Sequence, residues 1–196
     1  MKGPSRTIFF ATHNRGKFVE AAQITARFGI RLKHLRLEKH EIQSNDLREI
    51  ACFAAKFAAE SKKCAVVSED AGFFVDALNG FPGPYSSYVF GTLGTAGILK
   101  LLAANEDRRA CFQAAVAFCT PRSLPNCFIG VVKGQVSKKA KGTHGFGFDP
   151  IFIPRGGDGR TFAEMTTIEK NAFSHRALAF TKFSRWLIAK RKQSRV

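Results

Sequence analysis

The sequence predicts an α/β protein with a mixed central sheet and flanking helices, on three observations. Strand-like and helix-like segments alternate through the first 70 residues; two long strand-like runs, "ACFQAAVAFCT" and "NCFIGVVKGQVS", follow one another across a proline-bracketed turn; and the chain closes on a helix. The alternating part predicts repeated strand–loop–helix units, and the two long runs an antiparallel extension of the sheet. At 196 residues and 45% hydrophobic, the chain is long enough for one domain, residues 1–196, with a real core drawn into two lobes.

Element by element, "TIFFAT" (residues 7–12) is a short buried strand. The charged stretch after it places Phe18, Ala21, Ala22 and Ile24 at helical spacing, and Gly29 supplies the stop. "IRLKHLRL" alternates apolar and basic residues in strand fashion, while Leu47, Ile50, Ala51, Ala54, Phe57 and Ala58 line one face of a second helix, with Asn45 and Asp46 as first-turn or capping residues. "CAVVS" is the third strand, and it delivers Glu69 and Asp70 to its carboxyl end, where ligands bind in open α/β sheets. "SYVFGTLGTAGILKLLAA" reads as a helix interrupted near Gly91 to Gly97, and "HGFGFDPIFIP" as a glycine-rich turn entering a short strand. From about Ser174, Leu178, Phe183, Trp186 and Leu187 recur near helical spacing in the last helix. No internal repeat, low-complexity segment or linker interrupts this order.

Charge and cysteine content narrow the classes. The 31 basic and 15 acidic side chains leave a formal charge of +16, which favours polyanionic partners and makes non-specific nucleic-acid contact an expectation; the densest basic run is "AKRKQSRV". No apolar run approaches the roughly 20 residues that span a bilayer. "MKGPSR" passes straight into "TIFFAT" without the long apolar region of a signal peptide, so the expectation is a soluble cytoplasmic protein with no membrane partner. Cys52, Cys64, Cys111, Cys119 and Cys127 contain no CxxC pair and sit among alanine, valine or phenylalanine, which predicts small buried hydrophobes rather than a disulfide frame or a zinc site.

Four stretches can carry chemistry. In "ATHNRGKFVEA", Thr12, Asn14 and Lys17 leave a strand and enter a helix, where backbone N–H groups and the helix dipole can hold a phosphate. Glu41, Glu69 and Asp70 form an acidic set of hard oxygen donors suited to Mg²⁺, which binds through one or two carboxylates together with substrate phosphate. Adjacent strand residues face opposite ways, so Glu69 and Asp70 serve one metal jointly only if the strand ends between them, a break that Gly72 predicts. Asp70 is the choice for positioning and deprotonating an attacking water, against the plainer account of a turn cap beside a solvated Glu69. "GFGFDP" offers Phe146 and Phe148 around Gly147 for stacking on a base and Asp149 for its polar edge, with core packing as the other account of each ring. Lys170, Ser174, His175 and Arg176 can donate to a base carbonyl or to phosphate.

Taken together and in this order, "ATHNRGKFVEA", "EIQSNDLREIACFAAKFAAE", "SEDAGFFVDALNGFPGPYSSYV", "GFGFDPIFIP" and "TFAEMTTIEKNAFSHRALAF" resemble the inosine triphosphate pyrophosphatase family, the XTP/dITP diphosphatases, over almost the whole chain. The resemblance implies two lobes with the site in the cleft between them, a homodimer, and Mg²⁺-dependent hydrolysis of the small-molecule nucleotides ITP, dITP and XTP to monophosphate and pyrophosphate. It implies that Thr12, Asn14 and Lys17 hold the phosphates, with Lys56 beside them, and that Glu41 and Glu69 place magnesium while Asp70 activates water. It further implies that Phe148 stacks on the base, with Asp149, Lys170, His175 and Arg176 around its polar edge. The family's aspartate pair followed by serine and glycine is here "EDAG", so Ala71 removes a hydroxyl and Phe73 replaces a smaller aliphatic residue. Two other classes remain open at this point: a related pyrophosphatase acting on modified pyrimidine nucleotides, and a basic RNA- or DNA-binding module with steep salt dependence.

Overall fold

The computed structural model describes residues 7–37 and 42–193. Among these residues the strands are β1 (Ile8–Ala11), β2 (Leu32–Leu35), β3 (Val66–Val75), β4 (Pro82–Gly83), β5 (Arg109–Cys119), β6 (Asn126–Val136) and β7 (Phe152–Pro154). The helices are α1 (Arg15–Ala26), α2 (Leu47–Lys62), α3 (Ser86–Thr92), α4 (Gly94–Leu101), α5 (Thr167–Lys170) and α6 (His175–Gln193). The sheet runs in the order β2-β1-β3-β5-β6-β7, with β4 paired to β3. β1 is parallel to β2 and β3, whereas β4 on β3 and β7 on β6 are antiparallel, so the mixed α/β fold expected from the sequence is the one found. No helix among the described residues is long and apolar enough to cross a membrane.

The chain divides into two compact units. The first takes the described residues up to Asp70, Ala115–Ile129 and those from Ala179 onward. Its core follows from the two periodicities: Ile8 and Phe10 on alternate positions of β1, and Leu47, Ile50, Ala51, Ala55, Ala58 and Ala59 along one face of α2, are all buried. Asp46 opens α2 by accepting the Arg48 N–H at 2.8 Å. In α6, Phe180 meets Phe10 edge-on at 5.4 Å, and Phe183 packs on Phe118 at 5.6 Å.

The second unit takes Ala71–Ala114 and Gly130–Leu178. Its core is aromatic, with Phe73, Phe112, Phe148, Phe152 and Phe162 buried together with Val75, Val136 and Ile151. Arg108 fixes the start of β5 from within, donating to the carbonyls of Leu102, Val136 and Ser137 at 2.7–3.1 Å. The interrupted helix of the sequence is the α3–α4 pair, broken at Gly94, whose φ of +62° no β-branched residue adopts comfortably.

Three expectations need correction. In α2, Ala54 is only partly buried and Phe57 is exposed, so the buried face runs through Ala55 and Ala59 instead. β3 does not end after Ser68 but runs unbroken to Val75, so Gly72 is not a strand break. Its role is close approach: a Cβ there would lie 2.6 Å from the Gly83 carbonyl oxygen of β4, the strand that pairs with Phe73 and Phe74. The cysteines are also less buried than their neighbours suggested, since only Cys119 is buried and the other four are partly buried; all five are free thiols.

Candidate active site

The first unit assembles the phosphate-type residues. The parallel ladder of β1 ends at Ala11, opposite Leu35 on one side and Ser68 on the other. Glu69 and Asp70 therefore stand just past the carboxyl edge of that ladder even though β3 itself continues. The turn leaving β1 is built by its own side chains. Thr12 Oγ1 accepts the Asn14 N–H at 3.1 Å, Asn14 Oδ1 accepts the Lys17 N–H at 3.0 Å as the cap of α1, and the His34 ring lies 2.7 Å from the Thr12 carbonyl oxygen while stacking on Phe18 at 4.7 Å. Both side-chain oxygens are thus used as acceptors. What a threonine and an asparagine still offer a ligand is donors, the hydroxyl proton and the amide NH₂, which is the correct polarity for phosphate.

Lys17, in the first turn of α1, places Nζ 3.8 Å from Oε2 of Glu69, whose side chain is fully buried while that of the lysine is 16% exposed. A buried carboxylate needs such a counter-charge. At 3.8 Å the pair is electrostatic rather than a short hydrogen bond. Asp70, next along β3, is also buried. Because β3 is continuous, the two carboxylates leave the strand on opposite sides. The donor set is nonetheless all oxygen and anionic, and Mg²⁺ is held by as few as one carboxylate with substrate phosphates, so these residues fit that ion. No group of three or more His, Cys, Asp or Glu among the described residues could hold a metal by itself, and Glu41 lies outside them. Lys56 is exposed on α2, one position after the buried Ala55.

The second unit assembles the base-type residues. The turn before Asp149 is held by Asp149 itself, whose Oδ2 accepts the Phe146 N–H at 2.9 Å and the Lys170 ammonium at 2.6 Å. The two side chains of that ion pair are each 3% exposed. Gly145, at φ +73°, is demanded by this closure, because a Cβ there would collide with Asp149 Oδ2. Gly147 also has positive φ, +62°, with open space where a Cβ would be. Lys170 Nζ lies 4.9 Å from the centre of the partly buried Phe146 ring, and the fully buried Arg176 guanidinium lies 5.4 Å from it. Phe148 differs: it is 2% exposed, stacked on Phe73 at 5.1 Å and met edge-on by Phe90 at 5.5 Å. Ser174 accepts the Ala177 N–H at 3.2 Å at the start of α6, and the His175 ring is stacked on Phe112 at 4.8 Å and 11°.

Periodicity did not announce α5, a single turn, nor the residues that brace it. Two Thr-x-x-Glu capping boxes occur in succession: Thr161 with Glu164 on a 3-10 turn, Phe162–Glu164, and Thr166 with Glu169 on α5. Arg160 joins them, donating to Glu169 Oε1 at 2.8 Å, to the Glu164 carbonyl at 3.3 Å and to Asp158 at 2.8 Å. The Arg160 guanidinium first, then the Thr166 hydroxyl and N–H, hold the Glu169 carboxyl at about 2. The repeated Thr-x-x-Glu spacing, "TFAE" then "TTIE", was the signal in the sequence that could have found them.

The Ham1 family profile matches residues 8–186 of the chain. A dITP/XTP pyrophosphatase of Methanopyrus kandleri is 49% identical over 179 residues, 91% of this chain and 95% of that protein. One of Saccharolobus solfataricus is 51% identical over 176 residues, 90% and 91% of the two chains. Among solved structures, a HAM1 protein from Coxiella burnetii superposes with a TM-score of 0.80 at 28% identity, covering 93% of this chain and 98% of its own. A nucleoside-triphosphatase, or dITP/XTP pyrophosphatase, from Mycobacterium abscessus gives 0.67 at 32% identity, covering 85% and 92%.

Proposed function

The chain belongs to the Ham1 family, and on that premise we propose that it hydrolyses purine nucleoside triphosphates with a 6-oxo base, ITP, dITP and XTP, to monophosphate and pyrophosphate with Mg²⁺. The observation that carries this reading is the Lys17 ammonium set against buried Glu69, beside Asp70, at the carboxyl edge of the parallel ladder. Cation, carboxylates and donor-rich turn are what a triphosphate under attack requires.

In the first unit, the Thr12 hydroxyl, the Asn14 amide, the α1 N-terminus and Lys17 bind phosphate oxygens and fix their orientation. Glu69, with Glu41, would hold Mg²⁺ on its side of β3, and the bound ion would neutralise charge on the phosphates. A carboxylate oxygen of Asp70 takes the proton of the water that attacks the α-phosphorus. The bond from that phosphorus to the β-bridging oxygen breaks, and pyrophosphate leaves.

In the second unit, Phe146 rather than Phe148 is the ring we assign to stacking on the base. Phe148 has Phe73 on one face and is buried, whereas Phe146 is only partly buried and lies among the cationic groups of Lys170 and Arg176. Lys170, His175 and Arg176 supply hydrogen-bond donors for a 6-oxo group; adenine presents an amino group there, which leaves buried donors unpaired and is rejected. The decisive experiment is pyrophosphate release from purified protein with ITP, XTP, dITP, GTP and ATP, with and without Mg²⁺. Metal-dependent preference for ITP and XTP is expected. Equal turnover of ITP and ATP removes the selectivity, and no release from any of them removes the function.

A further inference from the structure

Lys170 ends a helix of four residues, too short to hold its own geometry, so its position is set by whatever braces α5 from outside. That brace is specific. Glu169 accepts the Thr166 N–H at 2.7 Å and the Thr166 hydroxyl at 2.7 Å, closing the capping box, and its other oxygen takes Arg160 Nη2. The same guanidinium donates through Nη1 to the carbonyl of Glu164, the last residue of the preceding 3-10 turn. That turn is itself fastened to the loop ahead of Asp149: Thr161 Oγ1 donates to the Lys141 carbonyl at 2.9 Å, and the His144 N–H donates to the Ala163 carbonyl at 3.0 Å. Arg160 therefore spans the two pieces whose meeting point is the Lys170–Asp149 pair.

We infer that Arg160 is a positioning residue for this site: it clips α5, through Glu169, to the turn that carries the loop of Phe146 and Asp149, and so sets how sharply the site selects its base. The inference rests on the function proposed above and deepens it. Arg160 and Glu169 are 39% and 42% exposed, where an ion pair adds little to global stability. Loss of selectivity without loss of stability is consequently the signature that separates positioning from ordinary structural support.

The test uses the full chain with Arg160→Met, Arg160→Lys, Glu169→Gln and the Arg160→Met/Glu169→Gln double variant. Steady-state kinetics with ITP and ATP should show KM for ITP raised about tenfold and the ITP:ATP ratio of kcat/KM reduced by a similar factor in Arg160→Met. The kcat for ITP should stay within roughly threefold and Tm within about 3 °C. Arg160→Lys should recover part of the ratio, since an ammonium reaches one acceptor well but cannot fork across them. Glu169→Gln should resemble Arg160→Met, and the double variant should be no worse than either. Amide hydrogen exchange supplies an arm independent of turnover: the Phe146 N–H, held by Asp149, and the amides of residues 167–170 should exchange faster in Arg160→Met, while those of β1 stay unchanged. Unchanged exchange at Phe146 overturns the inference whether or not the protein is an active pyrophosphatase. So does an unchanged ITP:ATP ratio in a wild type that turns over ITP. A wild type inactive on every nucleotide defeats the proposed function instead, and leaves the clip to be judged on exchange alone.

Discussion

Lys170→Met takes an ammonium off a buried carboxylate while keeping most of the side chain's length. Asp149 and Lys170 meet at 2.6 Å with both side chains 3% exposed, so bulk water does little to solvate either charge. Breaking such a pair from one side costs about 3–5 kcal/mol, and a protein of this size loses roughly 2–4 °C of Tm per kcal/mol, so Tm should fall by about 6–20 °C. Asp149→Asn is expected to be milder, because an amide oxygen still accepts the Phe146 N–H and the Lys170 ammonium, which also keeps the faces of Phe146 and Phe162 at 4.9 and 5.3 Å. The double variant should then be more stable than Lys170→Met alone, with a coupling of about 1–3 kcal/mol between the sites. Scanning calorimetry on the four proteins at neutral pH, with reversibility checked, measures all of this. A Tm for Lys170→Met within about 2 °C of wild type, or effects that simply add, would refute the view of this pair as a dry, coupled unit.

Three other outcomes are expected. Asp70→Asn should lower kcat for ITP by at least about a hundredfold with KM changed far less, because it removes the proton acceptor and keeps the shape; unchanged turnover would move that role elsewhere. Phe146→Leu should raise KM for ITP with little change in Tm, whereas Phe148→Leu, cut from the buried aromatic cluster, should lower Tm first; the reverse pattern would return base stacking to Phe148. Glu169 has its carboxyl held at about 2 against an ordinary value of 4.5, so its contribution to stability is complete above about pH 4.5 and is lost as pH falls towards 2. Because the pair is solvent-exposed, urea unfolding of wild type and Glu169→Gln should accordingly differ only slightly at about pH 5 and converge near pH 2; a gap that widens on acidification would contradict the assignment.

Much of the fold was legible because it rests on local repetition. Alternate burial of Ile8 and Phe10, and the buried stripe of Leu47, Ile50, Ala51 and Ala58 on α2, are periodicities a linear chain displays openly, although Ala54 and Phe57, expected on that stripe, are not buried. The strand-turn-helix around Thr12, Asn14 and Lys17 was equally visible, since its cap is made by residues two and three positions apart. The end of β3 was not. Whether Asp70 closes a strand or lies within one depends on later segments, β4 and β5, coming back to pair along β3.

The sequence by itself determined which chemistry is present: donors at a helix start, two adjacent carboxylates, and a cluster of lysine, histidine and arginine near the last helix. Only the tertiary structure decided which of two phenylalanines two positions apart is buried against Phe73, and that Asp149 is matched to Lys170 across 21 residues. It also decided that Arg160 reaches Glu169. Residue type and spacing fix what a side chain can donate, accept or bury, whereas its partner and its exposure are properties of contacts between distant segments, which exist only once the chain has closed upon itself.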